Sequence, residues 1–187
     1  MPSKKKEIRK KYNVTSSSYD ELYREEQLEK YRAALSHIKL EGVIVDAGCG
    51  TGLFEEFLAQ VNALKNVSYV ICLDISEGML KHATLRLSRL ALKYMTEIIE
   101  SDVEFMPLRE RAADYTVMFT VIDLVESERR TIFEVDRITK SHAIITRLHK
   151  ALRNKLSISR IGRVIASTDK DIIILRNIAT ADNEASR

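Results

Sequence analysis

Asp46, Gly48, Gly50 and Gly52, followed at a distance by Asp74 and Asp102, are the residues whose types and spacing could do chemistry. Residues 43–52 read VIVDAGCGTG: a mostly β-branched apolar run of the kind that forms a buried central strand, then a glycine-rich turn. Apolar residues return at helical spacing from Leu53, so the turn joins a strand to a helix. Residues without a Cβ let the backbone take positive φ and touch a ligand beside a helix N-terminus. The turn therefore suits a nucleotide-type ligand. Its glycines overlap the dinucleotide fingerprint G-x-G-x-x-G, and three details separate the two. Asp46 stands two residues before the first glycine, where it would repel a pyrophosphate and could hold an ammonium group. The third dinucleotide glycine would fall at position 53, which is Leu53. Asp74 ends the next apolar run, where a carboxylate can accept hydrogen bonds from ribose hydroxyls.

At these residues the chain resembles the class I S-adenosylmethionine-dependent methyltransferases. Residues 43–52 match that family's first motif, residues 70–80 (VICLDISEGML) its strand-two motif, and residues 101–108 (SDVEFMPL) and 113–120 (ADYTVMFT) the two that follow, in the same order. The resemblance spans residues 40–177 and implies a cofactor, S-adenosylmethionine, with a role for each matched residue. Asp46 would face the ammonium of the methionine moiety, and Gly48, Cys49 and Gly50, with Thr51 beside them, would offer backbone to methionine and ribose. Asp74 would hold the ribose hydroxyls, with Ile75 against the adenine and Met79 in the same motif. Asp102 would accept from the adenine amino group and Val103 would donate its N–H to a ring nitrogen. Phe119 and Thr120 would line the floor near the sulfonium. Tyr19-Asp20 with Tyr23 resembles the N-terminal element that closes over the cofactor in some branches. The fold implied is a single α/β Rossmann-like domain. Its seven-stranded, mostly parallel sheet has the order 3-2-1-4-5-7-6 with the last strand antiparallel, and helices cover both faces.

A sulfonium is already an activated leaving group, so a general base is needed only if the acceptor arrives protonated. Asp123 after the fourth strand and His149 after the fifth are the candidates by position, whereas His37, His82 and His142 lie away from strand ends and read as structural. No Asn-Pro-Pro-Tyr or Asp-Pro-Pro-Tyr sequence follows the fourth strand, which argues against methylation of exocyclic amines; nor does a cysteine stand there to serve as a pyrimidine nucleophile. Residues 141–168 hold Arg147, Lys150, Arg153, Lys155, Arg160 and Arg163 with no acid, and begin where the acceptor would enter. Lys and Arg contacts to phosphates dominate nucleic-acid affinity. The expected acceptor is thus RNA, tRNA or rRNA, gripped by Arg147, Lys150, Arg153, Lys155 and the basic N-terminus. A small molecule or a protein is the alternative, and a non-catalytic cofactor-binding or scaffold subunit is the reading from another class. An activator subunit could complete the pocket.

The net charge of +3 is unevenly placed: residues 1–11 carry +5, leaving −2 for the rest. That start is too polar to pack by itself, so residues 1–15 are expected to be a flexible basic segment ahead of a domain over 16–178, with a loose tail over 179–187. Ser18 and Glu21 form a capping-box pattern that predicts a helix over 18–38, with Leu28, Tyr31, Leu35 and Ile38 on one face. Further helices are expected over 53–64 and 126–139. Another begins at Ser76 with a core stripe of Leu80, Ala83, Leu87, Leu90 and Tyr94 and a solvated basic face that includes Arg86. Strands are expected over 68–74, 97–100, 115–121 and 142–147. Residues 163–167 and 171–176 are close enough to form an antiparallel hairpin. Little chain remains between the fifth and sixth strands, so any helix there must be short. Cys49 and Cys72 lack metal-ligand spacing and read as reduced structural residues, so no metal site is expected. Neither a membrane-length apolar run nor a secretory signal is present, which suits a cytoplasmic setting.

Overall fold

The computed structural model describes residues 3–151 and 156–178. Seven strands form one sheet in the order β3-β2-β1-β4-β5-β7-β6. They are β1 (Gly42–Ala47), β2 (Val67–Asp74), β3 (Thr96–Glu100), β4 (Ala113–Met118), β5 (Thr139–Leu148), β6 (Arg163–Ser167) and β7 (Asp171–Asn177). The strands from β3 to β5 pair in parallel, and β7 runs antiparallel to both β5 and β6, as the short 168–170 link required.

Side chains alternate across the sheet and divide the core in two. Ile44, Val70, Val117 and Ile173 pack with Leu28, Tyr31, Phe54 and Leu58 on one face. Val45, Leu73, Met118 and Ile174 pack with Ile132, Val135 and Ile138 on the other. The first face is covered by α2 (Tyr19–Leu35), α3 (Leu53–Gln60) and α4 (Glu77–Arg89), the second by α5 (Glu128–Ile138) and the one-turn α6 (Ile158–Ile161). Each fully buried Leu, Ile or Phe contributes about 1.5–3 kcal/mol, so these layers dominate the fold's stability.

Several local expectations hold for the anticipated reason. Ser76 caps α4, accepting from the Met79 N–H at 3.2 Å, and Leu80, Ala83 and Leu87 are buried. Others need correction. The Ser18 hydroxyl points to the Thr15 carbonyl at 3.3 Å and makes no cap, because α2 follows almost directly from a preceding helix. Tyr94 lies past the end of α4 and is 84% exposed. Arg86 turns back from its helix to the Thr51 carbonyl at 2.6 Å and to Asp20.

The largest departure is at the N-terminus. Where a flexible basic segment was expected over residues 1–15, the structure has a helix, α1 (Lys4–Thr15). It has no buried residue and is fixed by polar contacts. Lys5 Nζ lies 2.6 Å from Asp102 and 2.7 Å from Glu104. Arg9 pairs with Glu100, and Asn13 Oδ1 accepts from the Ser76 hydroxyl at 2.7 Å and the Gly78 N–H at 3.0 Å. Acids at and after the end of β3, with the Ser76 hydroxyl and Gly78 N–H at the start of α4, supply the partners that composition alone could not reveal. Residues 179–187, expected to be a loose tail, lie outside the described residues.

Candidate functional site

The strand order reverses at β1: the chain proceeds through β2 and β3 on one side, then returns to place β4 on the other. At such a point the carboxyl ends of the strands open into a crevice. A cleft with about 700 Å³ of empty space, partly open to solvent, occupies it here. Its walls come from the ends of four strands: Gly48 and Gly50 after β1, Asp74 and Ile75 after β2, Ser101, Asp102 and Val103 after β3, Phe119, Thr120 and Val121 after β4. Met79, Leu124 and Val125 add apolar surface, while Lys5, Ile8 and Tyr12 of α1 and Tyr19 of α2 roof it. A smaller recess, partly open to solvent, lies on the other side of the glycine turn, lined by Asp46, Cys49, Thr51, Gln27, Tyr31 and Leu53, with Tyr19, Gly48, Gly50 and Phe119 shared by both. Every residue expected to contact the cofactor lines one cavity or the other.

The turn itself is shaped to receive a ligand. Gly48 has φ +96, and a Cβ on it would meet Val121 Cγ2 at 2.2 Å. Gly50, at φ +56, would meet nothing within 4 Å, so its backbone faces open space. Asp74 is oriented by two backbone N–H groups, from Gly50 at 2.9 Å and Ser76 at 2.8 Å. Burial pushes its pKa up to about 6, against the pull of those hydrogen bonds. The carboxylate oxygens have further lone pairs, so acceptor capacity remains for a hydroxyl from the cleft. Asp102 accepts from the Glu104 N–H at 2.9 Å and pairs with Lys5. Asp20 accepts from the Thr51 hydroxyl at 2.7 Å and pairs with Arg86, which locks the start of α2 to the glycine turn.

Asp46 is 2% exposed and Glu55 is fully buried. Their carboxyls are hydrogen-bonded to each other, and burial raises the pKa of both, Asp46 well above its usual range. Asp46 borders the smaller cavity, where burial disfavours its charged form and so opposes the direct ionic contact with an ammonium expected from the sequence. The Cys72 thiol donates to Glu55 at 3.4 Å, and Cys49 and Cys72 are both free and buried.

The two candidate bases do not reach the cleft. Asp123 accepts from the Leu148 N–H at 2.8 Å and lies 3.2 Å from Arg147 Nε, tying β4 to β5. His149 is exposed, with Nε2 3.1 Å from the Thr168 carbonyl oxygen. Arg147, expected to grip a phosphate, is fully buried beneath α5. Lys150 is exposed; Arg153 and Lys155 lie outside the described residues. The residues that sequence reasoning missed are Lys5, Ile8 and Tyr12, for which the only signal was an apolar pair four apart in a basic run, and Gln27 and Lys30, polar residues on the buried face of α2. Among the described residues no helix is long and apolar enough to cross a membrane, and no group of His, Cys, Asp or Glu could hold a metal ion.

A crevice at the switch point of a 3-2-1-4-5-7-6 sheet, with acids closing three strands around a glycine turn, defines a class I methyltransferase fold. The family described as a methyltransferase domain matches residues 45–146. The chain belongs to that family, and S-adenosylmethionine is the cofactor that goes with it. It is 32% identical over 102 residues to a malonyl-[acyl-carrier protein] O-methyltransferase of Pectobacterium atrosepticum, a match covering 54% of this chain and 36% of that protein. The chain thus spans about a third of the length of the curated relatives it matches. Its fold is similar to a SAM-dependent methyltransferase from Aquifex aeolicus, with TM-score 0.66 and 19% identity over 87% of this chain and 96% of that one. It is also similar to magnesium protoporphyrin IX methyltransferase from Synechocystis with bound SAM, with TM-score 0.69 and 16% identity over 94% and 97%.

Proposed function

We propose that the chain binds S-adenosylmethionine at the glycine turn and transfers its methyl group to a small acceptor entering the same cleft. The observation that carries this is the carboxylate of Asp74, fixed by the Gly50 and Ser76 N–H groups with acceptor capacity left over at the mouth of β2. That capacity suits the hydroxyls of a ribose. Ile75, Met79 and Val103 would sandwich the adenine, with Asp102 at its amino edge, and Tyr19 would close the roof. The bound cofactor supplies an activated methyl group on a positively charged sulfur. The chain's own contribution is alignment and exclusion of water, which can supply about 7–11 kcal/mol in well-oriented systems.

A small acceptor fits better than RNA on the evidence of charge. Arg147 is enclosed, and Lys4, Lys5 and Arg9 are bound to the Val125 carbonyl, Asp102 and Glu100. The name of the curated relatives gives a carrier-bound acid as their acceptor. RNA is kept as a second reading because Lys6, Lys10, Lys11 and Lys150 stay exposed. A cytoplasmic setting, where thiols remain reduced, suits the free Cys49 and Cys72.

Asp74→Ala removes the charged acceptor and releases the Gly50 N–H. Hydrogen bonds to charged groups are worth about 1.5–3 kcal/mol each, so affinity for S-adenosylmethionine and S-adenosylhomocysteine should fall on the order of 100-fold or more. Calorimetric titration of both ligands against the wild type and this variant measures it. Undiminished affinity in a folded Asp74→Ala protein would remove the ribose contact and with it this placement of the cofactor.

A further inference from the structure

Lys30 sits fully buried on the inner face of α2, an unusual place for an ammonium group. Its Nζ donates to Glu26 at 2.9 Å and to the Thr120 hydroxyl oxygen at 2.8 Å, and forms an ion pair with Asp171 at 2.9 Å. Gln27, 3% exposed, places its amide nitrogen 3.2 Å from the same Thr120 oxygen and 3.2 Å from the Tyr19 hydroxyl. Thr120 holds this position in a left-handed conformation, φ 62, which a β-branched residue rarely adopts, with its N–H donated to Thr146 Oγ1 at 2.7 Å. Strain of that kind, held in place from three sides, is concentrated where a side chain must be aimed.

The hydrogen count gives the consequence. A threonine oxygen has two lone pairs, and Lys30 and Gln27 occupy both. The Thr120 proton is therefore left to be donated, and Thr120 lines the cleft. Tyr19 likewise receives a donor and keeps its proton, because burial holds its phenol well above its usual pKa. The Gln27 amide oxygen is buried without a partner. With the amide nitrogen donating to both hydroxyls, Tyr19 and Thr120 each keep a hydroxyl hydrogen that neither Gln27 nor Lys30 uses.

What such a site accepts follows from what else surrounds it. Asp123 and His149 are turned away, Asp102 and Glu104 face Lys5, and the Tyr12 phenol stays protonated up to about 12. With Asp74 assigned to the ribose, no other carboxylate or imidazole among the described residues of the cleft is poised to strip a proton from an amine or an alcohol. An acceptor served only by donors must arrive with its nucleophilic electron pair already exposed.

We propose that the Thr120 hydroxyl, set as a donor by Lys30 and Gln27, positions an ionised oxygen acceptor, a carboxylate, for methylation. This rests on the cofactor placement above. One carboxylate oxygen accepts from Thr120 while the other forms the new O–C bond to the methyl carbon. The S–C bond breaks with its electron pair remaining on sulfur. A positive sulfonium and a negative carboxylate become a neutral thioether and a neutral methyl ester, and no proton moves. Thr120 is the positioning residue, and Lys30 and Gln27 act through it.

The test uses the full chain with S-adenosylmethionine and three probe sets: acetate, malonate and hexanoate; primary amines of matched length; and bulk tRNA. Release of S-adenosylhomocysteine reports turnover, and titration of carboxylates into the S-adenosylhomocysteine-loaded protein reports binding. Turnover with at least one carboxylate is expected. Thr120→Val should lower kcat/KM for it on the order of 10- to 100-fold, chiefly through KM, with Thr120→Ser restoring most of the loss, as removal of one hydrogen bond to a charged group predicts. Affinity for S-adenosylmethionine should change far less than kcat/KM for the carboxylate in both variants. Turnover confined to amines or tRNA overturns the proposal, as does the absence of both binding and turnover with every carboxylate. A Thr120→Val protein that loses cofactor affinity instead would assign the hydroxyl to the cofactor's own carboxylate and overturn it equally. Failure of the wild type to bind S-adenosylmethionine is a separate result, and it would count against the methyltransferase reading itself.

Discussion

Arg147→Ala is expected to cost about 3–5 kcal/mol of folding stability, the range found when one partner of a buried ion pair is removed. That is a large share of the roughly 5–15 kcal/mol that holds a domain together. The Arg147 side chain is fully buried, with Nε 3.2 Å from Asp123, Nη2 2.7 Å from Glu128 and Nη1 donating to the Leu156 carbonyl at 2.6 Å. It thus joins the end of β5 to the segment after β4, the first turn of α5 and the chain leading into α6. Without it, two carboxylates that are 8% and 9% exposed lose their counter-charge and are left in a medium that disfavours them. Arg147→Lys should recover little, because one ammonium cannot span three partners that a planar fork reaches. Urea unfolding of the three proteins would measure this. An Arg147→Ala protein as stable as the wild type, but weakened in binding tRNA, would return this residue to the phosphate-gripping role that its sequence position suggested.

The second large effect is a slope rather than a loss. Above the ordinary carboxylate range the paired carboxyls of Asp46 and Glu55 hold on to protons that the unfolded chain gives up, since both pKa values are raised by burial. The folded state then binds more protons than the unfolded, so the pair's contribution to stability is fully present below the ordinary carboxylate range and is lost as pH rises. One retained proton corresponds to about 1.4 kcal/mol per pH unit. Asp46→Asn reproduces the protonated partner, an amide N–H donating to Glu55, without a proton to lose. Its stability should therefore fall less steeply with pH, and it should overtake the wild type toward alkaline pH. Chemical unfolding at several pH values would reveal the crossing. Parallel stability curves would mean that the two acids hold no shared proton.

How much of this was legible in the sequence depended on whether a feature was local. The glycine turn, the Ser76 cap and the tight link between β6 and β7 each depend on neighbours within a few residues, and each formed as read. Long-range pairing was not legible. Arg147 and Arg86 looked like surface cations because their partners, Glu128 and Asp123 for the first and Asp20 and Glu56 for the second, come from other elements. A charge in a sequence gives no sign of whether an opposite charge will be folded against it. Gln27 and Lys30 were hidden for a related reason: apolar periodicity finds the stripe through Leu28 and Tyr31 but passes over polar residues on the same buried face. Of the site, the strand-end acids were legible because the family's motifs carry them, whereas the roof contributed by α1 was not.

That roof has a kinetic meaning. A helix seated on apolar area alone would resist added salt, whereas α1 owes part of its hold, beside the Asn13 hydrogen bonds and the Tyr12–Tyr19 ring contact, to contacts between its cations and the acids of the cleft's rim, with Lys5 and its partner Asp102 each 25% exposed. Such contacts weaken as the screening length shortens, from about 10 Å at 0.1 M to about 3 Å at 1 M ionic strength. The dwell time of whatever lies beneath the helix is consequently tied to the ionic medium, and a substrate cycle limited by exchange would run faster as that medium becomes more concentrated.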